Sequence, residues 1–395
     1  MGFYDRAKLL HHDPEALRKG ETIRSILIIG SIDEYKAIFA AGKTPESAAA
    51  YSAALKAAYG GPGTESTPLL RLLDYVYGEG PLLPDDEAFA KERLLPMRVQ
   101  AVSAADYTFS TDEVIGPSAG IYTQNWGTLT FDGGSLTVEN TTMNLACDNL
   151  VIVAGGANPY HIGVMGAPGA QGPIGTTGTS TAGQATNGHN ASPPSGGNCI
   201  GAGDGGTGTD GAAGLAGGTG GLGNPGLASL TATMMIGAFD ASSTSGLIVA
   251  TQSGVGGQGG TGGTGGAGQM GGYGGSGCDS GCEGTDGGNG GSGGNGGNGG
   301  QGGTGGNGTN GYPGAIHFPA AQKQNLTLTA TPAAPGAGGP PGQGGAAGAG
   351  AGGGSGGKGQ SDGQAGSAGA GGNPGTLGLA GSNTGAPSTI TPSWT

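Results

Sequence analysis

The sequence from Gly254 to Gly314 reads GVGGQGGTGGTGGAGQMGGYGGSGCDSGCEGTDGGNGGSGGNGGNGGQGGTGGNGTNGYPG, and glycine occupies every third position with hardly a break. One register holds from Gly256 to Gly277, and a second runs from Gly281 to the end of the stretch. A second glycine usually follows the first, so the repeating unit is Gly-Gly-Xaa with Asn, Ser, Thr or Gln third. A period of three matches neither an α-helix nor a β-strand, but it matches an extended helix of the polyproline-II type.

A helix of this type forms no internal hydrogen bonds, so its backbone N–H and C=O groups need a neighbouring chain or water. Because glycine lines two of its three edges, adjacent helices can approach until their backbones bond to each other. The pattern therefore favours a bundle of polyglycine-II helices over a flexible glycine-rich linker, the first alternative. A collagen triple helix, the second alternative, relies on proline, and residues 281–314 contain only Pro313.

The composition of the whole chain leaves little material for a conventional core. Of 395 residues, 98 are glycine and only 5% are aromatic, so most of the length cannot bury a large apolar interior. Ordering glycine also costs more backbone entropy than ordering any other residue. A dense array of backbone hydrogen bonds is the interaction that can offset this cost.

Positive charge is concentrated at the N-terminal end. The chain has 14 Lys and Arg residues, and only Lys323 and Lys358 follow Arg98. The net charge of −13 and this scarcity of cations argue against nucleic acid as a partner, since phosphate binding needs Lys and Arg. No apolar run has the length of a signal peptide core or a membrane span, so we expect no membrane span. The protein then leaves its cell by a route that needs no N-terminal signal, is released by lysis, or stays inside.

Local patterns divide the chain into three segments. Residues 1–97 are interpreted as a small α-helical assembly or docking domain, residues 98–160 as a β-region, and residues 161–395 as the glycine-rich polyglycine-II bundle. Capping residues and prolines predict helix starts in the first segment at Asp13-Pro14, Ser31, Thr44-Pro45, Thr67-Pro68 and Pro84.

The β-region is predicted from pairs of apolar residues that alternate with polar ones. The pairs recur at a spacing of seven, which fits either a β-meander or a three-sided β-solenoid with about 21 residues per coil. We favour the solenoid, because its stacked edges could continue into extended glycine helices. The pairs are Leu129/Phe131, Leu136/Val138, Met143/Leu145 and Leu150/Ile152.

Two apolar segments interrupt the glycine pattern. Residues 227–252 are predicted to hold two strands around 240–245, and residues 315–335 form a second interruption of β type. Where they stay exposed, such segments form contacts with a receptor or another subunit. The candidate contact residues are Met234, Met235, Phe239, Phe318 and Trp394.

Four cysteines are present, and Cys278 and Cys282 lie where the glycine register slips. A disulfide between these two would fix a turn, and unpaired cysteine is the alternative. The histidines lack the spacing of a zinc site, and no arrangement of residues indicates hydrolysis or oxidation. The sequence therefore predicts no enzyme, no catalytic residues, no metal and no cofactor.

The Gly-Gly-Xaa runs and their interruptions resemble the receptor-binding tip adhesins of T-even-like bacteriophages. The resemblance covers roughly residues 163–381 and is one of composition and period. It implies a polyglycine-II bundle that carries receptor-binding loops, here 179–204, 227–252 and 315–335. The interruptions are rich in Thr, Ala and Leu, whereas an adhesin tip of this family presents aromatic loops.

These observations lead to two functional hypotheses. The first is a non-enzymatic structural protein, a self-assembling subunit of an extracellular fibre or filament built on a polyglycine-II lattice, whose partners are copies of itself. The alternative is a phage tail-fibre tip adhesin, in which the N-terminal part binds a fibre protein and the loops bind a cell-surface receptor. Both hypotheses place the protein outside the cell or on a virion surface.

Overall fold

The computed structural model describes residues 1–40, 43–60, 67–117, 120–194 and 197–394. Six α-helices lie in the N-terminal quarter of these described residues, and a short 3₁₀ helix spans Ala320–Asn325. None of the described helices is long and apolar enough to cross a membrane. The helices are α1 (Phe3–Leu9), α2 (Pro14–Arg18), α3 (Ile32–Phe39), α4 (Pro45–Tyr59), α5 (Pro68–Tyr77) and α6 (Pro84–Arg93).

Twelve β-strands in the described residues form two sheets, one of seven strands and one of five. The strands are β1 (Ile23–Ile29), β2 (Met97–Phe109), β3 (Glu113–Ile115), β4 (Ile121–Asp132), β5 (Leu136–Glu139), β6 (Thr142–Ala154), β7 (Ile162–Met165), β8 (Ala232–Phe239), β9 (Leu247–Gln252), β10 (Gly314–Phe318), β11 (Leu326–Thr331) and β12 (Ile390–Trp394).

The fold class expected from the sequence, a small α-helical N-terminal domain followed by a short β-region and a polyglycine-II bundle, is wrong. The protein is a mixed α/β protein with two large, mostly parallel sheets and few helices. One sheet takes strands from all three expected segments, since β1 comes from residues 1–97 and β8, β10 and β12 come from residues 161–395. The two interruptions of the glycine pattern and the C-terminal tail supply these late strands, so the sheets do not end where the glycine begins.

The strand order shows how the chain winds between the two sheets. The large sheet has the order β1-β2-β4-β6-β8-β10-β12, and the small sheet has the order β11-β9-β7-β5-β3. From β2 onward the chain therefore adds one strand to the large sheet and the next strand to the small sheet, coil after coil. All neighbouring strands are parallel except β1, which is antiparallel to β2.

The main apolar core fills the space between the two sheets. Every one of the alternating pairs predicted from the sequence lies in this core, fully or almost fully buried. The pairs fall in β4, β5 and β6, so the prediction of strands there is confirmed, although β6 is long enough to carry two pairs. Side chains of similar size stack from coil to coil, as where Phe109 stacks on Phe131 with ring centroids 5.1 Å apart.

The helices pack on the outer face of the large sheet, and polar side chains fix them there. Arg6 of α1 donates from Nε to Asn125 Oδ1 at 2.8 Å and forms an ion pair with Asp148 at 2.8 Å. Tyr51 of α4 lies 3.1 Å from Thr231 Oγ1. Arg6 is buried, and removing its charge from water is costly. Its bonds to Asn125 and Asp148 offset this cost.

Three long excursions, here called arms, leave the small sheet and return to the large sheet. Each arm has an outgoing and a returning leg, in which the chain forms no regular helix or strand. Arm 1 links β7 to β8 through leg 1 (166–191) and leg 2 (203–228). Arm 2 links β9 to β10 through leg 3 (254–278) and leg 4 (284–311), and arm 3 links β11 to β12 through leg 5 (333–357) and leg 6 (361–388).

Backbone hydrogen bonds join the legs at intervals of three residues. At one level a continuous series of N–H···O=C bonds crosses all six legs, with N···O distances of 2.7 to 2.9 Å. Each glycine in the series donates to the next residue, in the order Gly378, Gly339, Gly303, Gly260, Gly221 and Pro173. The legs therefore form one cross-linked body that continues the stacking of the two sheets.

Candidate binding surface at the distal end of the arms

The far ends of the three arms lie together, and we call this surface the distal end. It consists of the turns at 192–202, 279–283 and 358–360, where legs 1, 3 and 5 pass into legs 2, 4 and 6. Residues 195 and 196 of the first turn, within the expected loop 179–204, lie outside the described residues. The other two expected receptor loops, 227–252 and 315–335, are mostly strands of the two sheets at the opposite end of the arms.

Glycines with left-handed backbone conformation reverse the chain in arms 2 and 3. Gly281 has φ +79° and its N–H donates to Asp279 Oδ1 at 3.0 Å. Gly359 has φ +73° within a turn closed by the N–H of Gln360 donating to Gly357 O at 3.0 Å. A side chain at either position would strain the backbone, so the turns depend on glycine.

A disulfide joins the distal ends of two arms. Cys199 in the turn of arm 1 is bonded to Cys278, the last residue of leg 3 in arm 2. Their Cα atoms are 5.8 Å apart, and the two residues are 79 positions apart in sequence. The expected pairing of Cys278 with Cys282 is therefore wrong. Cys282 is a free, exposed thiol in the turn of arm 2. Spacing along the chain favoured the near pair, whereas the true partners meet only because legs 1 and 3 run side by side.

The fourth cysteine, Cys147, lies in β6 and is free and buried. Burial raises the pKa of its thiol to about 12. The thiolate is the reactive form of cysteine, so burial disfavours the reactive form of this side chain.

Charged side chains tie the third turn to the second. Lys358 Nζ in arm 3 donates to Gly281 O at 2.6 Å. Asp286 Oδ1 accepts from the N–H of Ser361 at 2.9 Å, and Asp204 Oδ1 accepts from the N–H of Asp286 at 3.2 Å. All three turns thus belong to one fixed array, although they are far apart in sequence.

The distal end combines carboxylates, a disulfide and exposed apolar area. Its carboxylates include Asp204, Asp279 and Asp286, and these accept hydrogen bonds from backbone N–H groups. Across the described parts of the chain, no group of three or more His, Cys, Asp or Glu residues is placed to hold a metal ion. Ile200 is 65% exposed beside the disulfide and offers apolar area to a partner.

The contact residues expected from the sequence lie far from the distal end, and most are buried. Met234, Phe239 and Phe318 belong to the core between the sheets, so as exposed contacts they are wrong. Met235 is half-buried on the opposite face of β8, where it borders two cavities of about 30 Å³ beneath the helices. Trp394 is 44% exposed at the edge of the large sheet and remains available for contact.

In one serine–histidine pair, the hydroxyl oxygen and the ring nitrogen are as close as in a catalytic nucleophile and its general base. Ser393 Oγ lies 2.7 Å from His317 Nδ1, and the two residues face each other on β12 and β10. Both are buried, and burial lowers the pKa of His317. In the described residues no carboxylate is hydrogen-bonded to this histidine. The pair is therefore best explained as a polar contact between strands under the helices.

Comparisons of the chain with models of protein families, with curated proteins and with solved structures found no match.

Proposed function

We propose that the protein is a non-enzymatic binding protein that presents the distal end of its arms to a receptor on a cell surface. The observation that carries this proposal is the fixed array of three turns, held by the Cys199–Cys278 disulfide and the Lys358–Gly281 hydrogen bond. A preorganised surface loses less conformational entropy on binding than flexible loops do. The resemblance of the glycine-rich runs to phage tip adhesins supports the same function.

The same disulfide supports a site of action outside the cell. Disulfides form and persist in oxidising surroundings and are rare in the cytosol. This one joins two arms at the surface proposed to meet the receptor. We therefore propose that the protein acts in the extracellular space or on a virion surface.

Cell-binding measurements test the proposal. Fluorescently labelled protein is incubated with a panel of bacterial strains, and bound protein is measured by flow cytometry. We expect Ile200→Asp and Lys358→Glu, both at the distal end, to reduce binding to the responsive strains at least about tenfold. Leu377→Asp changes a side chain that is exposed on leg 6, and this matched control should bind normally. Absence of binding to every strain, or equal loss in all three variants, would contradict the proposal.

A second candidate function is the self-assembling subunit of a filament. The observation that favours it is the exposure of large apolar side chains on the outer legs, including Leu222 on leg 2 and Leu379 on leg 6. Such residues on opposite sides of one body can join copies in a head-to-tail series, which does not close. Negative-stain microscopy of the purified protein distinguishes the two functions. Long filaments support the second candidate, and separate particles of uniform size support the first.

A further inference from the structure

A groove of about 390 Å³ lies beside the ends of the returning legs, where these legs approach the large sheet. Its lining comes from legs 2, 4 and 6 and from Tyr59 at the end of α4. The leg residues are 225, 228, 307–310, 383 and 384, together with Tyr312 just beyond leg 4. The volume is within the range of small-molecule sites, about 300–1,000 Å³.

Bonds to leg 6 fix the side chains of two asparagines of leg 4 at this groove. Asn307 Oδ1 accepts the N–H of Ser382 at 2.9 Å, and Asn310 Oδ1 accepts the N–H of Ala386 at 2.8 Å. Each carboxamide also carries an NH₂ group that can donate hydrogen bonds. Within the described residues, neither NH₂ group has a hydrogen-bond partner. The groove is therefore lined by donors whose orientation is set by bonds between the legs.

An aromatic pair borders the same groove. Tyr59 and Tyr312 stack with ring centroids 5.0 Å apart, and the Tyr59 hydroxyl donates to Asn310 O at 3.2 Å. Burial raises the pKa of both tyrosines, so both hydroxyls keep their protons at neutral pH. Both residues are half-buried, so part of each side chain is open to a ligand.

The chemistry of the lining limits which ligands fit. None of the described residues that line the groove is charged, so a nucleic acid or another charged polymer finds no partner for its charges there. The N–H groups of Gly308 and Gly311 are already bonded to Asn383 O and Ala386 O of leg 6, at 2.9 and 3.0 Å. The free donors are side-chain amides, and these do not form the regular row of main-chain groups that pairs with an extended peptide.

We infer that this groove binds a neutral saccharide of the size of a mono- or disaccharide. A sugar hydroxyl both donates and accepts, so it can accept from the NH₂ groups of Asn307 and Asn310 and donate to the side-chain oxygen of Asn383. The C–H face of a sugar ring is apolar and packs on the tyrosine rings. The groove lies at the end of the arms next to the sheets, so this inference and the proposed receptor surface at the distal end can fail separately.

Sugar binding to the full chain tests the inference. The probes are a panel of neutral mono- and disaccharides built from glucose, galactose, mannose and their N-acetyl forms, with digalacturonic acid as the acidic comparison. We expect at least one neutral sugar to bind saturably with a Kd of about 1 mM or below, and to shift the side-chain amide signals of Asn307 and Asn310 in NMR spectra. Digalacturonic acid should bind at least about tenfold more weakly, because its carboxylates lose water without gaining a cation.

Variants of the protein separate binding from stability. Asn310→Asp keeps the oxygen that bonds to Ala386 but loses the NH₂ donors, so it should weaken sugar binding about fivefold to tenfold. Asn298→Asp is the matched control, because it makes the same change on leg 4 away from the groove, where the oxygen also bonds to leg 6. Asn383→Ala removes an exposed side chain that forms no hydrogen bond within the described residues, so it should weaken sugar binding without a loss of stability.

The two ends of the arms are distinguished by one further variant. Ile200→Asp, at the distal end, should bind the sugar like the unmodified protein, and circular dichroism checks that all variants are folded. The inference is overturned if no neutral sugar of the panel binds at millimolar concentration, or if digalacturonic acid binds equally well. Equal sugar binding by Asn310→Asp, Asn383→Ala and the Asn298→Asp control would overturn it as well.

Discussion

The spacing of glycine in each leg follows the number of neighbouring legs. Legs 3 and 4 each hydrogen-bond to four other legs, whereas legs 1 and 6 each bond to two. In leg 3, a Cβ on Gly256 would overlap Gly306 O of leg 4, and a Cβ on Gly257 would overlap Ala170 O of leg 1. The inner legs therefore need two glycines in every three residues, and the outer legs need only one.

Replacing one inner glycine by alanine tests this explanation. In Gly260→Ala the new methyl group would overlap Pro173 O, so we expect the free energy of unfolding to fall by about 1–3 kcal/mol or more. Gly371 on leg 6 is the matched control, because the nearest atom to its Cβ would be Gly345 O at 3.8 Å. Gly371→Ala should be neutral or stabilising by up to about 1 kcal/mol. Urea titrations of the two variants measure the difference, and equal values would refute the explanation.

Asparagine at the third position has a structural role of its own. On leg 4, the side-chain oxygens of Asn289, Asn295 and Asn298 accept hydrogen bonds from backbone N–H groups of leg 6 at 2.8 to 2.9 Å. The N–H groups that donate these bonds belong to residues other than the glycines that donate the backbone hydrogen bonds between legs. The side chain thus supplies a further bond between two legs.

Removal of one such side chain should have a measurable cost. We expect Asn298→Ala to lower the free energy of unfolding by about 0.5–1.5 kcal/mol, the net value of one hydrogen bond. Gln301→Ala, at an exposed position three residues further along leg 4, is the comparison and should change stability by less than about 0.5 kcal/mol. Thermal unfolding followed by circular dichroism measures this difference. Equal melting temperatures of the two variants would refute the structural role of the asparagine side chain.

At the scale of elements, local signals in the sequence predicted single helices and strands well. The predicted helix starts at Asp13, Ser31, Thr44 and Thr67 are confirmed, and each of these side chains accepts a hydrogen bond from the first turn of its helix. The two strands predicted within residues 227–252 are confirmed as β8 and β9. Such signals depend on neighbouring residues alone, which is why they can be read without the fold.

Contacts between elements that are far apart in the sequence could not be predicted from such local signals. β1 was missed because its apolar run Ile26–Ile29 shows no alternation, and it pairs with β2 some 70 residues later along the chain, at the register Ile29–Met97. The pairing of Cys199 with Cys278, at the distal end, requires legs 1 and 3 to lie side by side. Helices α3 to α6 separate β1 from β2, and leg 2 and leg 3 separate the two cysteines, so no short-range pattern records either pairing.

The disulfide gives a prediction for the arms. Cys199→Ser should lower the free energy of unfolding by about 2–4 kcal/mol, because the bond restricts a long loop in the unfolded chain. Cys282→Ser removes the exposed free thiol and serves as the control, with no expected change in stability. Peptide mapping without reduction should recover Cys199 linked to Cys278. Recovery of a Cys278–Cys282 peptide would contradict the structure.

At the scale of the whole molecule, three buried histidines link stability to pH. His12 lies between Ser103 and Ser25, His161 accepts the N–H of Ile248, and His317 bonds to Ser393. Burial lowers the pKa of each below its usual 6.5, with His11 contributing at His12. The folded protein therefore prefers the neutral form of all three, whereas the unfolded chain takes up protons as soon as the pH falls below about 6.5.

Stability should accordingly decrease as the pH is lowered from 7 to 5. Each of these histidines contributes a slope of up to about 1.4 kcal/mol per pH unit between its folded and unfolded pKa. His161→Gln should flatten the dependence, whereas Gln301→Ala, which removes no titratable group, should not. Melting temperatures measured at half-unit steps of pH supply the test, and a flat profile for the unmodified protein would exclude this linkage.

The series of hydrogen bonds that crosses all six legs restricts how the arms can change in length. One leg lengthened by a single residue would put its donors out of step with the acceptors on both sides, unless a local bulge absorbs the extra residue. Legs 1 and 6 each contain such a bulge. The donors Gly178 and Ala185 on leg 1 are seven residues apart, whereas their acceptors on leg 3 are six apart, and leg 6 has one extra residue between the acceptors Leu379 and Asn383. Legs 1 and 6 have only two neighbouring legs each, so the periphery of the body accommodates changes of one residue, whereas the inner legs should change length only by whole triplets.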